Sequence, residues 1–325
     1  MRILLSRTDR VGDLILSTPA IASVRHAFPD AYITLACSRY NSVVVDRSPD
    51  VDALALVPTG VNPGVFGATF RDVDLAIALA PRDFDHRIVA ATRAPVRVGY
   101  TYATRYLARL MLRRMLTEIV LSPADPATAE RNPSLVIAHE VDQVLAVVAA
   151  AGVKTLVRDL VLPIRDADRA AVASLPERPV VVQLGGRWTK GGSTVESCLA
   201  LFRELRALGR PLVATFGDDG RALGARVREA AVADAVLGDL DFHIWAAVFE
   251  RAACVVTIDT GATHVASAVR TPTVVLFEHR WFRLASQEWS PYRVPNAILR
   301  KPPDTSDASL RASRSEIVAA VAALL

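Results

Sequence analysis

Cys254-Val-Val-Thr-Ile-Asp-Thr-Gly-Ala-Thr-His-Val-Ala-Ser-Ala268, followed by Thr271-Pro-Thr-Val-Val-Leu-Phe277, is the stretch from which the fold is read. An apolar, β-branched run, 254–258, stops at Asp259. A turn of small residues follows, Thr260-Gly261-Ala262, and 263–268 has the composition of a short, tightly packed helix. A second apolar run, 273–277, comes next. Strand, polar turn, helix and strand make a βαβ unit, with the polar residues at the carboxyl end of its first strand. In open α/β sheets ligands sit at that edge. Backbone N–H groups at a helix start favour anions, phosphate above all. Asp259 would repel a phosphate and is expected to take a sugar hydroxyl beside it.

Working outward, the same alternation recurs. In the second half, 180–184 is a strand ending in Gly185-Gly-Arg-Trp-Thr-Lys190-Gly-Gly-Ser193. A Gly-rich loop with one lysine after a strand can cradle phosphate, although the GxxxxGK[ST] order of a P-loop is absent. Lys190 reads equally as a solvated loop lysine. Residues 195–208 form a helix, and 212–216 a strand ending in Gly217-Asp-Asp-Gly220. Asp219 is there either a ribose contact or a turn residue. Residues 242–251 and 313–325 are further helices. His264 is either a packing residue or one that reaches an anion at the helix start. No His, Cys or carboxylate has metal-ligand spacing with it, so no metal site is expected.

In the first half, 3–5 is a buried strand and 6–13 a loop. A helix follows from Leu14 to about residue 28, either kinked at Pro19 or starting near 17–18 with Pro19 in its first turn. Strands are expected at 32–37, 53–57, 75–79, 96–99 and 119–121, and a long helix at 139–150. Gly12 permits a sharp turn. Asp13 is then a carboxylate at the mouth of the sheet, either an N-cap or a chemical group. Arg87, Arg93, Arg97, Arg105, Arg109, Arg113 and Arg114 occur with no acid between them. Arg105, Arg109 and Arg113, spaced by four, share a helix face. Tyr106, Leu107, Leu110, Met111, Leu112, Met115 and Leu116 supply its apolar side. Such a helix either binds an anionic lipid or membrane surface or packs on the sheet with a solvated basic face.

A chain of 325 residues is about two domains, and the polar stretch at 165–169 marks the junction. Aromatic residues make up only 6%, so the core is aliphatic, as in parallel sheets covered by helices. The net charge of +4 suits an anionic partner; no nucleic-acid-binding motif accompanies it. Cys37, Cys198 and Cys254 are widely spaced and fit a reducing cytoplasm. The early charges of Met1-Arg-Ile-Leu-Leu-Ser-Arg7 do not suit a signal peptide. No apolar run reaches the roughly 18 residues of a bilayer span.

Arg7-Thr-Asp-Arg-Val-Gly-Asp-Leu-Ile-Leu-Ser-Thr-Pro-Ala20, with Phe28-Pro29 after it, resembles the opening of glycosyltransferase family 9, the ADP-heptose:lipopolysaccharide heptosyltransferases and their relatives. Asp259-Thr-Gly-Ala-Thr-His-Val-Ala-Ser-Ala268 with Thr271-Pro272 looks like that family's D-S-G-x-x-H-x-A-A-A…P signature. His139-Glu-Val-Asp142, Trp188-Thr-Lys190 and Trp289-Ser-Pro-Tyr292 match weaker landmarks in the same order.

The resemblance implies an α/β protein of the GT-B fold: two Rossmann-like domains with parallel sheets facing a cleft. Residues 1–165 would bind the acceptor and 166–312 the nucleotide-sugar, with the helix 313–325 packing back on the N-terminal domain. It implies an inverting transfer, heptose from ADP-heptose, to a lipopolysaccharide core or related surface glycan, in the cytoplasm or at the cytoplasmic membrane face. Asp13 would be the catalytic base. Lys190, Asp219, Asp259, Thr260, Gly261, Ala262, Thr263 and His264 would bind the donor, with no cofactor and no metal. Arg105, Arg109 and Arg113 are the candidate acceptor or lipid contacts. The family's F-G-P-[ST] is here Phe277-Glu-His-Arg280, and its K-x-W-P is Lys190-Gly-Gly-Ser193. Glu278 and His279 are therefore candidate specificity contacts. The competing readings are a non-catalytic glycan- or nucleotide-binding relative and a nucleotide-sugar epimerase on a similar frame.

Overall fold

The computed structural model describes residues 1–123, 125–190 and 193–325. The chain divides into two compact units, Met1–Pro163 and Ile164–Leu325. The first contains β1 (Arg2–Ser6), α1 (Val11–Ala27), β2 (Tyr32–Ser38), β3 (Ala53–Val57), α2 (Pro63–Gly67), β4 (Leu75–Ala78), α3 (Asp83–Ala91), β5 (Val96–Tyr102), α4 (Tyr106–Leu112), β6 (Glu118–Ser122), α5 (Pro126–Ala129) and α6 (Glu140–Ala150). The second contains α7 (Asp166–Ala171), β7 (Val180–Leu184), α8 (Val195–Arg206), β8 (Leu212–Phe216), α9 (Arg221–Glu229), β9 (Ala235–Gly238), α10 (Phe242–Arg251), β10 (Cys254–Ile258), α11 (Gly261–Ala268), β11 (Thr273–Phe277), α12 (Phe282–Glu288), β12 (Asn296–Arg300) and α13 (Asp307–Leu324).

Each unit holds a six-stranded sheet, in the orders β3-β2-β1-β4-β5-β6 and β12-β11-β10-β7-β8-β9. The second order, counted from β7, is the first read backwards, so both sheets are Rossmann-like. All strand pairings are parallel. The central strands β4, β8, β10 and β11 are buried along their whole length. That burial on both faces is why they read as continuous apolar runs rather than alternating ones. The strand order reverses between β1 and β4, and again between β7 and β10. Those are the positions where loops diverge to leave a crevice.

Helix α1 starts at Val11 and runs through Pro19 without a break, against the expected kink or late start. Pro19 has no N–H, which orphans the Ile15 carbonyl. The Thr18 hydroxyl donates to that carbonyl at 2.7 Å, so the helix continues. Leaving such a carbonyl unpaired in the core would cost about 1–3 kcal/mol. The same hydroxyl accepts from Val161 N–H, and Ser23 Oγ accepts from Val157 N–H. Apart from Asp13 the helix is buried from Val11 to Val24, packed against α6, which explains why it is otherwise apolar on all sides.

Helix α13 begins at Asp307, earlier than expected. Its Ile317 and Val321 are buried in the core of the second unit, and Arg314 Nε donates to Glu204 of α8 at 2.7 Å. Among the described residues no helix is long and apolar enough to cross a membrane.

Candidate functional site

At the carboxyl edge of the first sheet, Arg7 follows β1 and is almost wholly buried, 2% exposed. A buried guanidinium costs several kcal/mol of lost hydration unless every face is met. Here Nε donates to Asp9 Oδ1 at 2.9 Å, and Nη1 donates to Glu140 Oε1 at 2.8 Å and to the Leu79 carbonyl. Nη2 stands 3.5 Å from Asp13 Oδ1. Tyr100 Oη donates to the same Glu140 oxygen at 2.8 Å. Asn41 Nδ2 donates to the Arg7 carbonyl at 3.0 Å and fixes the backbone there. Burial opposes the Arg7 charge, but Asp9, Glu140 and Asp13 outweigh it and raise its pKa well above the ordinary value.

Asp13 sits in the first turn of α1, whose N-cap is Arg10; the carboxylate is not the cap. Its side chain keeps 22% exposure, so it is the member of the cluster that a ligand can reach. Burial raises its pKa first; Arg7 and Arg10 oppose the rise and Glu140 adds to it. A carboxylate so placed is a stronger base than a solvated one. Beside it, Asp85 of α3 is fully buried. It accepts from Ser6 Oγ at 2.8 Å and from Thr8 N and Oγ1 at 3.1 Å each. Burial, then the nearby Asp9, pushes it up to about 6. Arg7, Glu140, Tyr100 and Asp85 were not singled out from the sequence. The signal available for two of them was membership of the quoted segments at 7–20 and 139–142.

At the carboxyl edge of the second sheet, β10 ends in Asp259 and Thr260, and α11 starts at Gly261. Asp259 N–H donates to the Leu276 carbonyl at 2.9 Å. Arg187 Nη1 donates to the Asp259 carbonyl at 2.7 Å and lies 3.4 Å from its carboxylate. Thr260, the N-cap, turns its hydroxyl to the Ile258 carbonyl at 3.2 Å and caps nothing. The first N–H groups of a helix have no carbonyl behind them, so those of Gly261 and Ala262 are available to an anion. Thr263 N–H is already used on the Thr260 carbonyl, at 3.1 Å. The side chains of Ala262, Thr263 and His264 are buried, His264 to 5% exposure. His264 therefore sits on the packed side of α11 rather than out at its start.

The neighbouring loops close around this turn. After β8, Asp219 Oδ2 accepts from Gly186 N–H at 3.0 Å, so this carboxylate clamps the loop after β7. Gly220 is required behind it: a Cβ there would meet the Leu184 carbonyl oxygen at 2.7 Å. The Lys190 side chain is exposed. Its carbonyl accepts from Lys301 Nζ at 3.0 Å, as does that of Arg187. Lys301, directly after β12, is buried and pairs with Glu278 Oε1 at 2.8 Å. Glu278, expected as a specificity contact, is thus engaged below the loops. His279 is exposed, and its carbonyl accepts from Arg300 Nη2 at 2.7 Å. Gly191 and Gly192 lie outside the described residues. The second edge brings Lys190, Asp219, the 259–264 turn and Glu278 onto four adjacent strands. Asp13 and the arginines of the α4 region belong to the other unit.

Arg105 and Arg113 flank the seven-residue helix α4 as its caps, with Arg109 inside it. The apolar residues expected on one side are divided: Leu112 and Leu116 are in the core, while Tyr106, Leu107, Leu110 and Met111 stand out in solvent. Among the described residues no group of three or more His, Cys, Asp or Glu side chains is placed to hold a metal ion.

Residues 218–303 match the model of glycosyltransferase family 9 (heptosyltransferase). That region holds Asp219, the 259–264 turn, Glu278, His279 and Lys301; Arg7, Asp13 and Glu140 lie outside it. Over 293 residues the chain is 24% identical to lipopolysaccharide heptosyltransferase 3 of Escherichia coli, covering 82% of this chain and 80% of that one. Among solved structures, a glycosyltransferase family 9 protein from Veillonella parvula DSM 2008 superposes with a TM-score of 0.76 at 18% identity, over 99% of this chain and 96% of the other. The E. coli ADP-heptose lipopolysaccharide heptosyltransferase II does so with a TM-score of 0.75 at 17% identity, over 100% and 98%. The fold is that of these GT-B proteins.

Proposed function

We propose that this family-9 type glycosyltransferase moves heptose from ADP-heptose to a hydroxyl of a lipopolysaccharide core or related surface glycan, with inversion, at the cytoplasmic face of the membrane. The observation that carries the reading is Asp13, half-open and held beside the buried Arg7 at the switch point of the first sheet. The acceptor hydroxyl gives its proton to the Asp13 carboxylate while its oxygen attacks the anomeric carbon. As that bond forms, the bond from the anomeric carbon to the diphosphate breaks on the opposite face, and the diphosphate leaves with the electron pair. A single displacement inverts the centre.

The leaving charge falls to the second unit. The open N–H groups of Gly261 and Ala262, with the Lys190 ammonium, stabilise it. Asp259, backed by Arg187, orients sugar hydroxyls, and Asp219 is the ribose contact beside its bond to Gly186. The chemistry so written needs no cofactor; the nucleotide-sugar is a substrate. A diverged, non-catalytic relative is the competing reading. The fixed partner of Glu278 argues against it, because the altered loop is built into the edge rather than left loose.

The test couples binding to turnover. A ligand that binds the native state alone raises its melting temperature, so ADP is expected to do so more than UDP or GDP. Asp13→Asn is expected to lose on the order of 10²–10⁴-fold in transfer while keeping the ADP shift. A variant that transfers normally, or that loses nucleotide binding, removes Asp13 from the role of base.

A further inference from the structure

We propose that the exposed face of α4 is a docking surface for an anionic lipid bilayer. Tyr106, Leu107, Leu110 and Met111 are 56–80% exposed within six residues of chain. Leu112 and Leu116, next to them, are buried, so the helix is anchored in the unit's core by one side and shows apolar side chains on the other. Single exposed apolar residues need no explanation, but four together mark an interaction site.

The charge around them selects the occupant. Arg105, Arg109, Arg113 and Arg114 border the patch, and none has a carboxylate partner among the described residues. Two are aligned by aromatic rings instead, Arg105 over Tyr102 at 4.6 Å and Arg109 over Tyr106 at 5.8 Å. A cationic rim around an apolar centre matches the interfacial layer of a membrane, where phosphate groups overlie acyl chains. Tyrosine, with an apolar ring and a polar tip, suits that layer. An acidic protein partner would meet the arginines but leave the leucines unexplained. Helix α4 directly follows the carboxyl end of β5, and β1 runs parallel to β5 in the same sheet. The patch and Asp13 therefore share one sheet edge. This surface goes beyond the transfer reading and does not depend on it.

The test uses the full chain and vesicles of phosphatidylcholine alone or mixed with phosphatidylglycerol, read by co-sedimentation. Binding is expected to the mixed vesicles only, and to be released by high salt, which screens exposed charges. Each arginine near such a surface strengthens binding by roughly fivefold. Arg105→Gln, Arg109→Gln and Arg113→Gln together are then expected to weaken it on the order of a hundredfold. Leu107→Gln with Leu110→Gln, which leaves the charge unchanged, is expected to weaken it too. Melting of each variant near the wild-type temperature shows that the fold is kept; all of these side chains are exposed except Arg109, which is half-buried. Equal sedimentation of wild type and variants overturns the proposal, as does failure to bind mixed vesicles. A dimer that Leu107→Gln and Leu110→Gln disperse gives the face to a second copy and overturns it as well. None of these readouts involves transfer, so the outcome is separate from that of the donor and base assignments.

Discussion

Lys301 Nζ lies 2.8 Å from Glu278 Oε1 and at the same time donates to the carbonyls of Arg187 and Lys190. One buried cation thus ties the loop after β11 to the loop after β7. Breaking a buried pair by deleting one partner leaves a charge or dipole uncompensated, at about 3–5 kcal/mol. Glu278 is a third exposed, which places the expected loss for Lys301→Met near the lower figure, about 3 kcal/mol. Glu278→Gln should cost less, because its amide oxygen still accepts from the lysine. Urea midpoints measure both. ADP affinity should fall with Lys301→Met, since the Lys190 backbone loses its anchor. A Lys301→Met protein as stable as wild type would show that the pair holds nothing in place.

The Asp13 assignment carries a pH signature. A base works only when ionised, so transfer is lost as pH falls through its pKa. Burial and the Glu140 charge both raise that pKa, against Arg7. Glu140→Gln keeps the hydrogen-bonding oxygen and removes the charge. The acid limb of kcat/KM is then expected to move to lower pH. A limb that stays put, or moves up, would mean that another group sets it.

Asp85 gives a stability signature of the opposite kind. Its folded pKa, about 6, exceeds the ordinary 3.8. The folded state therefore holds its proton more tightly than the unfolded chain. That contribution is complete below pH 3.8 and is lost as pH rises through about 6. Asp85→Asn cannot ionise, so its stability relative to wild type should improve between pH 4 and 7.5, by up to about 3 kcal/mol. Urea unfolding at the two pH values tests this. A difference independent of pH would mean that the Ser6 and Thr8 bonds fully compensate the buried charge.

The order of strands and helices was readable because parallel strands buried on both faces become apolar runs, as 254–258 and 273–277 show. Strands β9 and β12 escaped notice for the same reason inverted. They are edge strands, half buried along their length, and each offers an apolar run of only three residues, 235–237 and 297–299. Lys301 was hidden with β12. Helix α1 starts earlier than its sequence suggests because Pro19 normally interrupts a helix, and residue type alone does not show that the Thr18 hydroxyl satisfies the Ile15 carbonyl. Of the candidate site, the 259–264 turn and Asp13 were visible as polar breaks at strand ends. The importance of Arg7 was not, since its partner Glu140 lies 133 residues away. Sequence composition marks charges but not the distances between them. His264 was likewise placed at the helix start by sequence position, whereas its side chain turns into the core.

One guanidinium, that of Arg7, stands among Asp9, Asp13 and Glu140, with Asp85 close enough to Asp9 to feel its charge. The aspartates crowd one another there: the charge on Asp13 raises the proton affinity of Asp9, and that on Asp9 raises the proton affinity of Asp85. On the proposed reading, a proton delivered to Asp13 lands where burial and the Glu140 charge already favour it, and its arrival relieves the charge pressing on Asp9.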